Sequence, residues 1–302
     1  PNMETLVQQI VNGLVLGSMY ALVALGYTMV YGVLRLINFA HGDVYMVGAM
    51  MAYYLAHWLG FAAAPSVAGF AIVLVMAMAA CGALGALIEL VAYRPLRSQP
   101  RMTMLITAIG VSMLLEFGGQ RVFGPDPKFF PQLIESHSLF QTGGLVLTNV
   151  DLLVIGVSLF LMVALRWVVM KTKIGLAVRA VSFSFETSSL MGINVNTIIS
   201  VTFVLGSALA AAAGAMVGLR NPKIEPLMGV LPGIKAFVAA VLGGVGNFPG
   251  AVVGGLVMGV TETLVAAYLS STYRDAVAFV ILILVLLVKP TGLFGKVVTE
   301  KV

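Results

Sequence analysis

The sequence predicts an all-α, polytopic membrane protein. Three observations carry that prediction. Of 302 residues, 60% are hydrophobic and 10% charged, against about 25% charged in an ordinary soluble domain. Mean hydropathy is +1.04. The apolar residues fall into runs near the roughly 20 that a helix needs to cross a bilayer, and most cations gather in short segments between those runs.

Taken in order, the runs lie at roughly 6–33, 44–60, 66–93, 102–120, 151–169, 196–218, 250–269 and 275–289, about eight candidate spans. The first follows "PNMETLVQQI", which lacks a basic leader segment, and the run is long enough to span, so no cleavable leader is expected. The short run 44–60 reads as the second half of a broken helix. The stretch "GVLPGIKAFVAAVLGGVGNFPG" (229–250) is apolar but interrupted by Gly and Pro, the pattern of a re-entrant or half-spanning element. The loop "RPLRSQPR" (94–101) holds Arg94, Arg97 and Arg101; 166–179 holds Arg166, Lys171, Lys173 and Arg179. The segment 122–150 has Lys128 as its cation before Arg166. The positive-inside rule then places 94–101 and 166–195 in the cytoplasm and 122–150 outside. Lys289, Lys296 and Lys301 point to a cytoplasmic C-terminus.

The net charge of +5 marks no nucleic-acid partner, because no basic patch is interleaved with aromatics. The single Cys81 forms no intrachain disulfide. No phosphate loop, zinc cluster or nucleophile elbow occurs, so neither catalysis nor a cofactor is expected. Small residues recur at helix spacing in Gly13/Gly17, Gly82/Ala86, Gly214/Gly218, Gly250/Gly254 and Gly255/Gly259, the spacing of close helix packing in lipid.

Polar residues at membrane depth are the candidates for function. The stretch "NFAHGD" sets Asn38, His41, Gly42 and Asp43 between two apolar runs. These residues are expected to form a non-helical or kinked segment inside the protein, as caps for broken helix ends or as lining of a pathway. A second break carries Gly243, Gly244, Gly246 and Asn247. "VLGS" occurs at 15–18 and 204–207, and "NF" followed by small residues at 38–42 and 247–250. This weak repeat points to a transport pathway and to one transmembrane domain over 1–302 with pseudo-symmetric halves of about 1–150 and 151–302. Glu89 is expected to pair with Arg94, and Glu116 with Arg121. Asp43, Glu116 and Glu262 are the acids through which a proton-coupled transporter would work. The segment 171–195 contains "FSFETSSLMG", which suits a short amphipathic helix over 183–191. Phe183, Leu190 and Met191 are expected to pack down, with Gly192 ending the helix.

Several longer motifs carry a family resemblance: "INFAHGDVYMVGAM", "VAYRPLR", "TAIGVS", "GLAVRAVSFSFETSSLMGINVN", "GIKAFVAAVLGGVGNFPGAVVGGLVMG" and "LILVLLVKPTGLFG". Over nearly its whole length the chain resembles the permease family of branched-chain amino acid ATP-binding-cassette importers, and the Liv-type H permease more than its M-type sister. Urea and short-chain amide permeases are similar to it and supply the alternative substrate. The resemblance implies a multi-pass inner-membrane subunit that carries leucine, isoleucine and valine and does not itself hydrolyse ATP. It implies as partners a second permease subunit (an M-type sister or a second copy), two ATPase subunits and an external binding protein. It also implies that the loop about 171–195 docks the ATPase through Gly175, Arg179, Ala180, Glu186 and Gly192. The chain departs from the family pattern at Leu176 and Leu90, where Arg is common, and at "VSFSF", which replaces a more charged run.

Overall fold

The computed structural model describes residues 3–142 and 144–295. Lys296 and Lys301, part of the C-terminal charge signal, lie outside the described residues. Each of the predicted runs is helical. Helix α1 spans Met3–Leu34, α2 His41–Trp58, α3 Val67–Ile88, α4 Arg101–Phe123, α5 Asn149–Lys171, α6 Lys173–Phe183, α7 Phe185–Leu190, α8 Val195–Arg220, α9 Val230–Gly243, α10 Phe248–Tyr268 and α11 Ala276–Val288. Six are long and apolar enough to cross a membrane: α1, α3 with its continuation to Leu96, α4, α5, α8 and α10. The 14-residue α9 is about 21 Å long at 1.5 Å per residue, short of a hydrocarbon core of about 30 Å.

Local chemistry sets the ends. Ser66, Thr148, Asn194 and Asn247 each cap the helix that follows, accepting a backbone N–H with the side-chain oxygen. Thr148 and Asp151 do so reciprocally, as a capping box. Beyond Ile88, α3 runs on through a wide turn, Glu89–Tyr93, and a tight one, Arg94–Leu96. Two departures from expectation lie outside the spans. The segment 122–150 holds strand β1 (Lys128–Phe129), which pairs antiparallel with β4 (Lys223–Ile224), and a hairpin of β2 (Ser138–Thr142) and β3 (Leu145–Thr148). The segment 166–195 contains a helix, α6, ahead of the short one.

Helix α1 is the axis of the bundle. It is buried on all sides from Gly17 to Val30, as an all-round apolar helix must be. Its chief neighbours are α10, α8 and α9. The apposition of α1 and α10 is backbone against backbone. A Cβ at Gly255 would stand 2.5 Å from Cα and N of Ala21; one at Gly259 would run into Gly17, and one at Gly17 would reach Leu256 Cα at 2.8 Å. Gly250 and Gly254 face the other way, onto Gly243 and Ala239 of α9. Gly48 and Gly214 bring α2 and α8 together in the same manner. Without a hydrophobic drive between helices in lipid, such close contact supplies the dispersion that holds the bundle.

Candidate functional site

The first polar break is shorter than expected. The chain leaves α1 through Arg35, which adopts φ +50°, and is helical again from His41. His41, Gly42 and Asp43 are therefore the first turn of α2, and only Asn38 lies in the break. Neither Asn38 nor Asp43 caps with its side chain; the N-cap position is Ala40. Tight backbone bonds, His41 N–H to Asn38 O and Asp43 N–H to Ala40 O, both 3.1 Å, satisfy the donors a cap would have served. The side chains are used elsewhere. Asn38 Oδ1 accepts from the Tyr93 hydroxyl at 2.7 Å. Asp43 accepts from Ser112 Oγ on α4. The His41 ring meets Tyr27 edge-on at 4.7 Å and fills the space beside Gly26. All three polar residues are buried. A Cβ at Gly42 would lie 2.6 Å from Gly229 O and 2.8 Å from Gly233 Cα.

The second break behaves differently. Gly244 and Gly246 have φ of +101° and +89°, which side-chain-bearing residues rarely adopt. Asn247 caps α10 through Gly250 N–H at 3.0 Å and donates its amide to Phe294 O at 3.0 Å. Leu293 N–H and Phe294 N–H bond to Leu242 O and Gly243 O, so the C-terminal segment closes over this break. The first turn of α2 instead meets the start of α9, through Gly42.

Among the described residues, two of the cavities bordering α1 lie on either side of its middle. One, of about 600 Å³, is walled by the α1 stripe Asn12, Val15, Leu16, Met19, Tyr20 and Val23. Arg220, Thr263 and Arg274 face that stripe. It lies on the side of the β2–β3 hairpin, whose Val146 N–H donates to Gln8 of α1 at 2.7 Å, the side that the positive-inside rule predicts to be external. The other, of about 740 Å³, is reached by Thr28, Met29 and Gly32 of α1 and by Met170, Arg179 and Gly246, on the opposite side, predicted to be cytoplasmic. Between Val23 and Thr28 stands one buried turn, Ala24–Tyr27, backed by His41. Of the residues singled out in the two breaks, Gly246 lines one of these cavities. Asn38, His41, Gly42, Asp43, Gly243, Gly244 and Asn247 line neither.

Two charge networks frame the bundle. On the cytoplasmic side Glu89, fully buried, takes Arg94 Nη2 at 2.8 Å, Arg97 Nη2 and Ser200 Oγ at 2.7 Å. Arg97 also donates to Asn196 at 2.6 Å. Burial pushes the Arg97 guanidinium below its ordinary pKa, which makes its carboxylate partner the more necessary. Glu116 and Arg121 form no ion pair among the described residues; five residues apart on a helix, they point about 140° away from each other. On the external side Glu262, 1% exposed, is held by Lys235 at 2.8 Å, Arg274 at 2.5 Å and the Tyr20 hydroxyl at 2.9 Å. Lys235 also reaches Asp275 at 2.6 Å. Partial burial works against the charge of Arg274, and Glu262, Tyr20 and Asp275 together hold its pKa above the ordinary value. Lys235 was not singled out from the sequence. Its signal was a lone cation inside an apolar run, with the acid Glu262 in the next one.

The cytoplasmic segment folds as two short helices at an elbow. A Cβ at Gly175 would collide with carbonyl oxygens of Val168 and Val169, so α6 turns back directly on the end of α5. Helix α7 covers six residues, fewer than the 183–191 expected. Gly192, φ +81°, ends it: its N–H bonds to Ser189 O and that of Ile193 to Ser188 O, the double bond of a Schellman turn. Phe183, Leu190 and Met191 do not pack down; they are 86%, 87% and 78% exposed. A six-residue helix has too little face to bury them while Ser188 points inward. Glu186 and Arg179 are exposed beside them, and Ala180 is half-buried.

The family model described as "Branched-chain amino acid transport system / permease component" matches residues 9–286. The chain is 42% identical to the high-affinity branched-chain amino acid transport system permease protein BraD of Pseudomonas aeruginosa, over 100% of both chains. It is also 42% identical to the high-affinity permease protein LivH of Escherichia coli K12, over 98% of this chain and 97% of the relative. A probable LivH of Methanocaldococcus jannaschii is 28% identical over 93% of this chain and 90% of its own.

Proposed function

Because the chain belongs to the family of branched-chain amino acid transport permease components, we propose that it forms, with a second permease subunit, the membrane pathway of an ATP-driven importer of leucine, isoleucine and valine. It is a multi-pass membrane subunit and not itself an enzyme. An external binding protein delivers the amino acid, and two ATPase subunits grip the α6–α7 elbow, where Phe183, Leu190 and Met191 stand out as apolar knobs. The observation that carries the reading is the pair of cavities at opposite ends of α1, separated by the turn Ala24–Tyr27. A carrier that never opens to both sides at once needs such a septum. The apolar wall of the external cavity favours a branched aliphatic side chain over urea or a short amide. Proton coupling through Glu262 is disfavoured, because two cations and a hydroxyl already occupy its oxygens.

The test is reconstitution of the assembled complex in liposomes. Leucine uptake should require ATP and the binding protein, and isoleucine and valine should compete where urea does not. Uptake driven by a pH gradient without ATPase subunits would refute the reading.

A further inference from the structure

The external cavity is more than a vestibule, because its two guanidiniums are held in different ways. Arg220 pairs with Asp151 at 2.9 Å, and Asp151 is 3% exposed. Its other oxygen, Oδ2, is committed to the Thr148 cap, so Oδ1, which accepts no hydrogen bond, has only the charge of Arg220 beside it. Releasing Arg220 would strand a buried charge, a costly state. Arg274 is placed differently. The two are similarly exposed, 45% against 38% for Arg220, but Arg274 shares Glu262 Oε1 with the Lys235 ammonium, while Tyr20 occupies Oε2. If Arg274 turns away, Glu262 keeps one hydrogen bond on each oxygen and a cation beside it. Arg274 is thus the releasable cation of the cavity.

We propose that this cavity is a transit site for a zwitterionic amino acid, in which Arg274 exchanges Glu262 for the substrate carboxylate. A guanidinium is well suited to this, since its planar fork matches a carboxylate. The substrate ammonium is taken by Gln9 Oε1, whose present partner is a long 3.5 Å bond from Asn12. Asn12 Oδ1 already accepts from Gln8 and Arg220. The aliphatic side chain lies along Val15, Leu16, Met19 and Val23, a stripe at helical spacing. A cavity of about 600 Å³ is within the range of small-molecule sites. The proposal rests on the transport function above and adds a site and a residue role to it.

The experiment measures equilibrium binding of radiolabelled L-leucine to the purified, nucleotide-free complex without the binding protein, with leucinol, which lacks the carboxylate, as competitor. The wild type should prefer leucine to leucinol. Arg274→Gln should weaken leucine about tenfold to a hundredfold, the loss of one charge-assisted bond, and leave leucinol nearly unchanged. Arg274→Lys, which keeps a cation and needs less rearrangement, should fall between; it carries the test should the Gln variant misfold. Equal binding of leucine and leucinol by the wild type, no leucine binding, or an unchanged preference in Arg274→Gln and Arg274→Lys would overturn the site. Uptake by the intact wild-type system, measured in parallel, separates this failure from failure of the transport reading: a complex that imports leucine but does not bind it here sinks the site alone.

Discussion

Glu89→Gln removes the one negative charge that the cytoplasmic ends of α3 and α8 share. Glutamine fills the same volume and still accepts from Ser200, so the change isolates charge from packing. Glu89 is 0% exposed, Arg97 16% and Arg94 33%. Breaking a buried pair from one side costs about 3–5 kcal/mol. Water reaches Arg94 and recovers part of that, which leaves about 3 kcal/mol. For a chain of this size, at about 2–4 °C per kcal/mol, melting falls by about 6–12 °C. The assay is loss of the monodisperse size-exclusion peak after heating the detergent-solubilised protein. Ser200→Ala removes only a hydrogen bond of about 1 kcal/mol and should cost about 2–4 °C. A Glu89→Gln variant melting within about 2 °C of wild type, or no lower than Ser200→Ala, would refute the reasoning that this charge clamps the two helices.

Gly255→Leu should abolish monodisperse protein, because its Cβ alone stands 2.5 Å from the Ala21 backbone. Gly110→Leu on α4, with nothing within 4 Å of its Cβ, should extract normally, and equal behaviour of the two would contradict the packing. Asp43→Asn should cost about 1 kcal/mol, the difference between a charged and a neutral acceptor for Ser112, and leave uptake intact; abolished uptake at normal abundance would mean that transport needs the charge. Gly192→Val meets no neighbour, so its penalty is the left-handed backbone, about 1–2 kcal/mol. It should fray α7 and reduce ATPase stimulation at normal membrane abundance, and full stimulation would exclude α7 from coupling.

The helices were legible because lipid imposes one rule over the whole length of a span. Runs 102–120 and 151–169 became α4 and α5 with their ends moved by a few residues, and the Gly-rich interruption before 250 became the short α9. What escaped the sequence depended on partners from distant segments. Asn38 looked like a cap, yet Tyr93 claims its side chain from 55 residues away. Asn247, in the matching dipeptide, does cap. The choice between them is made by neighbours and not by the local pattern. Lys235 and Glu262 sit on different helices, so no periodicity links them. Phe183, Leu190 and Met191 looked like the apolar face of a helix, but the length of α7, set by Ser184 and Gly192, leaves them facing outward. The β2–β3 hairpin has its own signal, a Gly-Gly pair between "SLFQT" and "LVLT", which the placement of charges does not weigh.

The contact of α1 with α10 bears on how genetic screens of this protein should be interpreted. At Gly17, Gly255 and Gly259 every missense codon adds at least one carbon where the opposing main chain already stands. A saturation library scored by growth on leucine would show these columns as empty as any substrate contact. They would pass for pathway residues, although the amino acid has no room to reach them. Scoring the same library for surface abundance separates the two classes: seam glycines vanish from the membrane, whereas transport residues stay there and fail.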